Sequence, residues 1–341
     1  MSTVSSSVLS ALLKADAPVS GAALASQLHI SRAAVWKAVQ LLREQGHSIL
    51  GTPRQGYRLL RDSVLSREGI LRFWPDGQTK PELAVLDSVD STNAYAKARA
   101  QEGAPDGFAV ISREQTSGRG RYGRHFESPE NAGLYLSLLV RSSLPLNDAV
   151  LLTVFASVVT ARAIENQLEG SDPRVRIKWV NDLQMNGKKI CGILTEASVH
   201  MENGSLDYAV VGIGINLYSR KWPGELAGIA GDIETLSGRI LSPNRLTADI
   251  LSSFSLLSSE RLTSVLPEYR SRSCLIGQDV LVFPSGMISS APAPAYEAHV
   301  TGIDDRAGLI VRDRSGTIRT LSSGEVSVRT VRHSDEVVDN A

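Results

Sequence analysis

Between Gln115 and Arg124 the chain reads QTSGRGRYGR, which places three glycines and three arginines within ten positions. Glycine lets backbone amides approach an anion with no Cβ in the way, and guanidinium groups make two-point contacts to phosphate or carboxylate oxygens. RNA-binding RGG segments repeat, whereas this one occurs once and between two strand-like runs, so a folded anion site is the expectation. Taken alone, the loop specifies phosphate or carboxylate and nothing finer.

A second element is Lys178-Trp179-Val180-Asn181-Asp182-Leu183, followed by Lys188, Lys189 and Gly192. Lys189 comes just after an Asn-Gly turn and can project a rigidly placed ammonium, while Gly192 leaves room against a sheet for a flat ligand. Asp182 can hold a magnesium ion or accept a proton. A lone lysine at a strand start is more often simply solvated. A third element, Asp90-Ser91-Thr92-Asn93, opens a helix and offers hydrogen bonds to a polar, uncharged ring; the plainer reading makes Ser91 or Thr92 only the N-cap.

The elements that must position these groups divide the 341 residues into several units. Residues 1–62 read as three helices and a hairpin, with Val8, Leu9, Leu12 and Leu13, then Ala23, Leu24 and Leu28, then Val35, Val39 and Leu42 facing inward. Ser20 and Ser31 are placed to cap the second and third helices, and Pro53 to Gly56 turns between two short strands. That order is a winged helix-turn-helix. Residues 1–61 carry seven basic side chains against two acidic ones, a net of plus five that leaves minus five for the remainder of a chain neutral overall. Arg32, Lys37 and Arg54, with Ser31, are the expected DNA contacts; a helical docking domain with a solvated basic face is the alternative.

Residues 63–81 read as a linker with a weak helical stretch. From 82 to 270 the pattern predicts an α+β domain: a central mixed or antiparallel sheet with helices on one face, including a long helix over about 147–168. Two hairpin turns are expected at Asn186-Gly187 and Asn203-Gly204, a mobile loop over 218–240 and one amphipathic helix over 243–267. Neither a dinucleotide fingerprint nor GxxxxGK[ST] is present, so a doubly wound nucleotide fold is not expected. Residues 271–332 alternate in short strands and predict a small β-barrel, with a loop over PSGMISSAPAPA and a disordered tail at 333–341. No apolar run approaches the roughly 18 residues of a membrane span, no signal peptide is evident, and two cysteines without metal-ligand spacing point to a reducing, cytoplasmic setting.

Together, SRAAVWK, DSTN, the GRGRYGR loop, KWVNDL with the Lys189 strand, Gly212 to Asn216 (GIGIN) and the terminal Gly324-Glu325-Val326-Ser327-Val328-Arg329 resemble the biotin protein ligase family in its bifunctional form. Two positions depart from the family pattern: Val180 stands where proline is usual, and His125-Phe126 where a tryptophan is. Without the proline, Trp179 is expected to be less strictly extended and the loop to Asp182 more mobile.

The resemblance implies a class II synthetase-like ligase domain followed by an SH3-like barrel. It implies that biotin and ATP give biotinyl-5′-AMP, whose acyl group passes to one lysine of a biotin carboxyl carrier protein, with repression of biotin synthesis genes as a second role. On this reading Arg121, Lys189 and Asp182 do the chemistry, and Asp182 also meets Mg2+. Biotin falls to Ser91, Thr92, Asn93, Gln115, Arg119, Gly120, Arg121, Lys189 and Gly192, and the nucleotide to Arg121, Arg124, Lys178, Asn181 and Asn216. The arginine loop is expected to order around its ligand and to favour a DNA-binding homodimer from a monomer, with no membrane partner. A lipoate-type ligase and a ligand-sensing regulator without ligase activity remain as alternatives.

Overall fold

The computed structural model describes residues 3–330 except 16, 53–54, 61–63, 142–144, 170–173, 200–205, 285–294 and 323–325. Three helices open the chain: α1 (Thr3–Lys14), α2 (Gly21–Leu28) and α3 (Arg32–Glu44). Ser20 Oγ accepts from Ala23 N at 3.0 Å and Ser31 Oγ from Ala34 N at 3.1 Å, satisfying amides that the first turn of a helix leaves without a partner. Strands β1 (Ile49–Thr52) and β2 (Gly56–Leu59) form the wing, and Val19 pairs with Tyr57 on its other side. A Cβ at Gly56 would lie 2.2 Å from Val19 O, so that approach requires glycine. The module has its own core around Leu9, Leu24, Val35, Val39 and Leu42. On α2 the inward residues are Leu24 and Ala25; Ala23, expected inward, is exposed and Leu28 is half-buried. Arg54 lies outside the described residues.

The linker is packed rather than loose. Its helix α4 (Arg67–Arg72) is capped by Ser66. Buried Asn244 accepts from Ser66 N and donates to Val64 O, pinning the linker to the body.

The body follows as β3 (Leu83–Leu86), α5 (Thr92–Gln101), β4 (Ala109–Ser112), β5 (Gly133–Val140), α6 (Ala149–Leu168), β6 (Arg176–Lys178), β7 (Asp182–Met185), β8 (Lys188–Val199) and β9 (Leu206–Asn216). These strands make one mixed sheet in the order β3-β4-β5-β9-β8-β7-β6, parallel only between β3 and β4. Alternate residues of β5 serve two cores. Leu134, Leu136 and Leu138 join the α6 side, and Leu139 joins Ala96, Ala100 and Val210 on the α5 side. Helices therefore cover both faces, against the expectation of one, because a strand apolar on both sides must be covered on both. Helix α6 is long and apolar enough to cross a membrane by length and composition, but most of it is buried against the sheet, as a core helix requires.

Residues 218–240 contain a short turn at Gly224–Gly228 and α7 (Ile233–Ser237). The expected single helix over 243–267 is broken into α8 (Pro243–Phe254), α9 (Ser259–Ser264) and α10 (Leu266–Arg272), where Ser258 caps α9 and Pro267 enters the first turn of α10.

The last strands are β10 (Asp279–Pro284), β11 (Tyr296–Ile303), β12 (Leu309–Asp313), β13 (Ile318–Leu321) and β14 (Val326–Thr330). They form an antiparallel sheet ordered β13-β12-β11-β10-β14, and among the described residues no pairing joins β13 to β14. A closed barrel was expected; the described pairings give an antiparallel sheet, whose apolar residues Val280, Val300 and Val311 belong to the same buried cluster as the body's core. Trp179 Nε1 donates to Ala307 O at 2.8 Å and Arg270 to Ile303 O at 2.8 Å across this junction. The Asn203-Gly204 turn, the loop within 285–294 and the 333–341 tail lie outside the described residues.

Candidate active site

Helix α5 starts at the sheet. Ser91 is its N-cap, with Oγ 3.4 Å from Ala94 N. Thr92 presents both its amide and its hydroxyl to Gln115 Oε1, at 2.9 and 3.0 Å, and Gln115 Nε2 donates to Ser128 Oγ at 2.9 Å. Asn93 Nδ2 donates to Leu194 O at 3.2 Å and Glu196 Oε2 at 2.7 Å. Ser137 Oγ lies 2.8 Å from Thr92 Oγ1 and 2.6 Å from Asn93 Oδ1, and its single proton serves one of them at a time. These side chains, expected to read a ligand ring, brace α5 against β5 and β8. Burial would raise the Glu196 pKa, but hydrogen bonds from Lys97 and Asn93 outweigh it and hold the carboxylate below its ordinary value.

The arginine loop connects β4 to β5. Phe126 N donates to Gly118 O and Gly120 N to Arg124 O, closing a hairpin around a single tight turn at Arg121–Gly123. A Cβ at Gly118 would meet Phe126 O at 2.3 Å, and Tyr122 takes a left-handed φ of 58°. Arg121 Nη1 donates to Asn181 Oδ1 at 3.2 Å, and its guanidinium lies 4.9 Å from the Tyr122 ring centre. Arg119 and Arg124 are exposed at the rim, and Gly120 is half-buried.

Lys178 ends β6, and the Trp179–Val180 peptide bond is cis. Both side chains are buried, Tyr269 donates to Val180 O at 2.9 Å, and Asn181 Nδ2 donates to Ile193 O at 2.7 Å. These neighbours anchor the segment for which more mobility is expected without the proline. Lys189 Nζ stands 2.6 Å from Asp182 Oδ1, without the alignment of a hydrogen bond. Asn216 is buried and donates to Gly231 O at 3.0 Å and Lys189 O at 3.3 Å, so it ties the segment after β9 to the Lys189 strand.

Three glycines make a floor on the α5 face. A Cβ at Gly212 would reach Asn93 Oδ1 at 2.1 Å, at Gly214 the Phe126 ring at 2.5 Å, and at Gly192 the same ring at 3.1 Å. The flat group over Gly192 is therefore Phe126 itself, with Lys189 Nζ 5.9 Å from its centre. A cavity of about 560 Å³ adjoins the far side of Arg121 and Asn181, bounded by Val150, Thr195 and Arg306. Among the described residues no cluster of three His, Cys, Asp or Glu could hold a metal, so Asp182 is a single carboxylate facing a lysine.

Ser137, Glu196 and Phe126 carry much of this geometry and were not singled out beforehand as site residues. Ser137 alone left a clear signal, as the one small hydroxyl side chain within the apolar run LYLSLLV. In the N-terminal module Ser31 is spent as a cap, while Arg32 and Lys37 are exposed on α3.

Residues 85–216 match the biotin/lipoate A/B protein ligase family, and residues 5–58 match a helix-turn-helix domain. The bifunctional ligase/repressor BirA of Bacillus spizizenii is 30% identical over 313 residues, covering 91% of this chain and 94% of that one. BirA of Escherichia coli is also 30% identical, over 91% of this chain and 93% of that one. Among solved structures, the biotin protein ligase of Aquifex aeolicus in complex with biotin and ATP superposes with a TM-score of 0.59 at 26% identity, covering 73% of this chain and 99% of that one. With end-to-end likeness to a bifunctional relative and a helix-turn-helix ahead of the ligase domain, this chain belongs to the biotin protein ligase family in its bifunctional, repressor-linked branch.

Proposed function

We propose that this chain activates biotin with ATP to biotinyl-5′-AMP and pyrophosphate, then passes the biotinyl group to a lysine of a biotin carboxyl carrier protein. The observation that carries the reading is the cationic cradle: Lys189 beside Asp182 at the edge of a glycine floor, with Arg121 reaching Asn181 across it. The complex of the Aquifex aeolicus relative with biotin and ATP supports the pair of ligands.

Bringing biotin's carboxylate to the α-phosphorus forces two anions together, and fixed cations at the place of attack lower that barrier. Lys189 and Arg121 supply them, with Arg119 at the rim. A carboxylate oxygen bonds to the α-phosphorus and pyrophosphate departs. In the second step the carrier's neutral ε-amine attacks the acyl carbon, AMP leaves, and Asp182 takes the amine's proton. Magnesium arrives with the triphosphate and would meet Asp182, since no cluster of three His, Cys, Asp or Glu side chains stands ready for it among the described residues. Lys178, Arg124 and Asn216 border the nucleotide, and Ser91, Thr92, Asn93 and Gln115 hold the wall that the ureido ring meets.

The N-terminal module binds operator DNA, and the adenylate promotes the dimer that does so; bifunctional relatives support this second role. We read 1–62 as that module, 63–81 as its linker, 82–270 as the ligase domain and 271–332 as the C-terminal unit. Two free cysteines accord with a cytoplasmic protein.

The test is a streptavidin blot of apo carrier protein incubated with this chain, biotin, ATP and magnesium, with a lipoate arm alongside. Labelling by biotin alone is expected. Lipoylation instead makes it a lipoate ligase. Biotin binding without any transfer makes it a sensor.

A further inference from the structure

Helix α3 presents one face to its module's core and another to solvent. Val35, Ala38, Val39 and Leu42 are buried. Successive residues advance about 100°, so Arg32, Trp36, Gln40, Ala33 and Lys37 fall, in that angular order, within an arc of about 140° on the opposite side. Arg32, Ala33, Trp36 and Lys37 are exposed and Gln40 is half-buried. Trp36 leaves 58% of its surface in solvent, the most of any tryptophan among the described residues. The first turn has no acidic residue, and the one acid of the helix, Glu44, is its last residue. Arg43 is occupied elsewhere, its Nε and Nη2 both donating to Ile49 O.

The outward face is thus an apolar stripe, Ala33 and Trp36, between two cations for which no ion pair is found among the described residues. A phosphate-lined groove complements the cations. Within that groove the apolar feature on base edges is the thymine C5-methyl group, which is read by van der Waals contact.

We propose that Trp36 is the specificity-determining residue of the DNA contact: its indole packs against thymine methyl groups in the major groove while Arg32 and Lys37 hold the flanking phosphates. This rests on the reading of the N-terminal module as a DNA binder. The N-terminal half of a recognition helix is the part that reaches base edges, and Trp36 sits there. Phosphate contacts fix position and carry the salt dependence; the indole carries the sequence preference.

The experiment uses the full chain with biotin, ATP and magnesium. Its probes are a 30-base-pair duplex, about this length, enriched by the chain from a random-sequence library, and a scrambled duplex of equal composition. Fluorescence anisotropy is read across a salt series. Trp36→Ala is expected to weaken the enriched duplex about 5- to 100-fold, leave the scrambled one within about twofold and keep the salt slope. Replacing the contacted thymines by uracil removes only the methyls, and should weaken the wild type but not further weaken Trp36→Ala. Trp36→Phe should retain part of the preference. Lys37→Ala should weaken both duplexes alike and lower the slope by about one. Equal losses on both duplexes, no loss at all, or failure of the library to enrich any sequence overturns the role of Trp36 alone. If the wild type binds neither duplex, the DNA-binding reading itself falls.

Discussion

Lys189 Nζ and Asp182 Oδ1 face each other at 2.6 Å across the β7–β8 hairpin, each side chain about a quarter exposed. Asp182 pairs in register with Gly192, so the carboxylate, the ammonium and the glycine floor occupy one patch of sheet. The lysine's charge is turned toward its neighbour. On the proposed mechanism an incoming pair of anions competes with Asp182 for it and leaves Asp182 to accept a proton.

Lys189→Ala should therefore lower the rate of biotin-dependent pyrophosphate release by about 100- to 1000-fold, the size seen when one preorganised donor is lost. The change also leaves the partly buried Asp182 carboxylate without its facing cation, so a drop in thermal stability is expected with it. Adding Asp182→Asn should recover the stability and not the rate. Near-normal pyrophosphate release by Lys189→Ala removes Lys189 from the chemistry.

Arg121 bridges from the arginine loop to Asn181 and stacks on Tyr122. Arg121→Gly should form the adenylate more slowly, with Lys189 left as the cation at the place of attack, and hold it poorly, because a glycine-rich turn loses its main side-chain anchor. The expected readout is biotin appearing on bystander lysines of albumin added to the reaction. An inert variant that labels nothing leaves Arg121 a role in adenylation alone and removes it as the clamp on the intermediate.

Much of this was readable before any coordinates because the signals are local. Ser20, Ser31 and Ser91 cap the helices their positions announced, and Asn186-Gly187 turns the hairpin that presents Lys189. What was not readable depends on partners far away in sequence. Asn93 reaches Glu196 across 103 positions and Ser137 across 44, and no spacing rule reports such pairs. That the apolar residues of the C-terminal sheet join the body's buried cluster depends on distant partners, whereas alternation reports only that an apolar face exists. Phe126 illustrates both limits: its aromatic character was plain, but its place over Gly192 and Gly214 comes from the hairpin that Gly118 permits.

That placement makes a prediction about the floor. A Cβ at Gly214 would stand 2.5 Å from the Phe126 ring, so Gly214→Ala should force the ring aside at a cost of about 1–3 kcal/mol, the usual range for overpacking. Combining it with Phe126→Ala should relieve most of the strain, measured as Tm or denaturant midpoint, while biotin binding by calorimetry stays impaired in both. Additive losses of stability in the double variant sink the idea that the ring and the floor are in contact.

His47 carries the last prediction. It is buried just beyond α3, and neither ring nitrogen has a hydrogen-bond partner among the described residues. Burial first, then the positive charge of Arg113, hold its pKa below the ordinary imidazole value, with Glu68 opposing them in part. Arg113 follows β4 and Glu68 lies on α4, so the imidazole sits where the N-terminal module meets the body, beside a cleft of about 330 Å³ lined by Gly46, Val64, Arg113 and Tyr218. The unfolded chain protonates this histidine near pH 6.5, and the folded one only at lower pH. Below about 6.5 the unfolded state consequently binds more protons, and stability falls as the pH drops, while above it the effect vanishes. His47→Leu removes the titration and keeps an apolar filler. Wild type should lose more Tm than His47→Leu between pH 7.5 and 5.5, and proteases should open its module junction sooner at the lower pH. Carboxylates titrating elsewhere affect both proteins alike, so parallel Tm curves for the two would mean that His47 does not link the seam to pH.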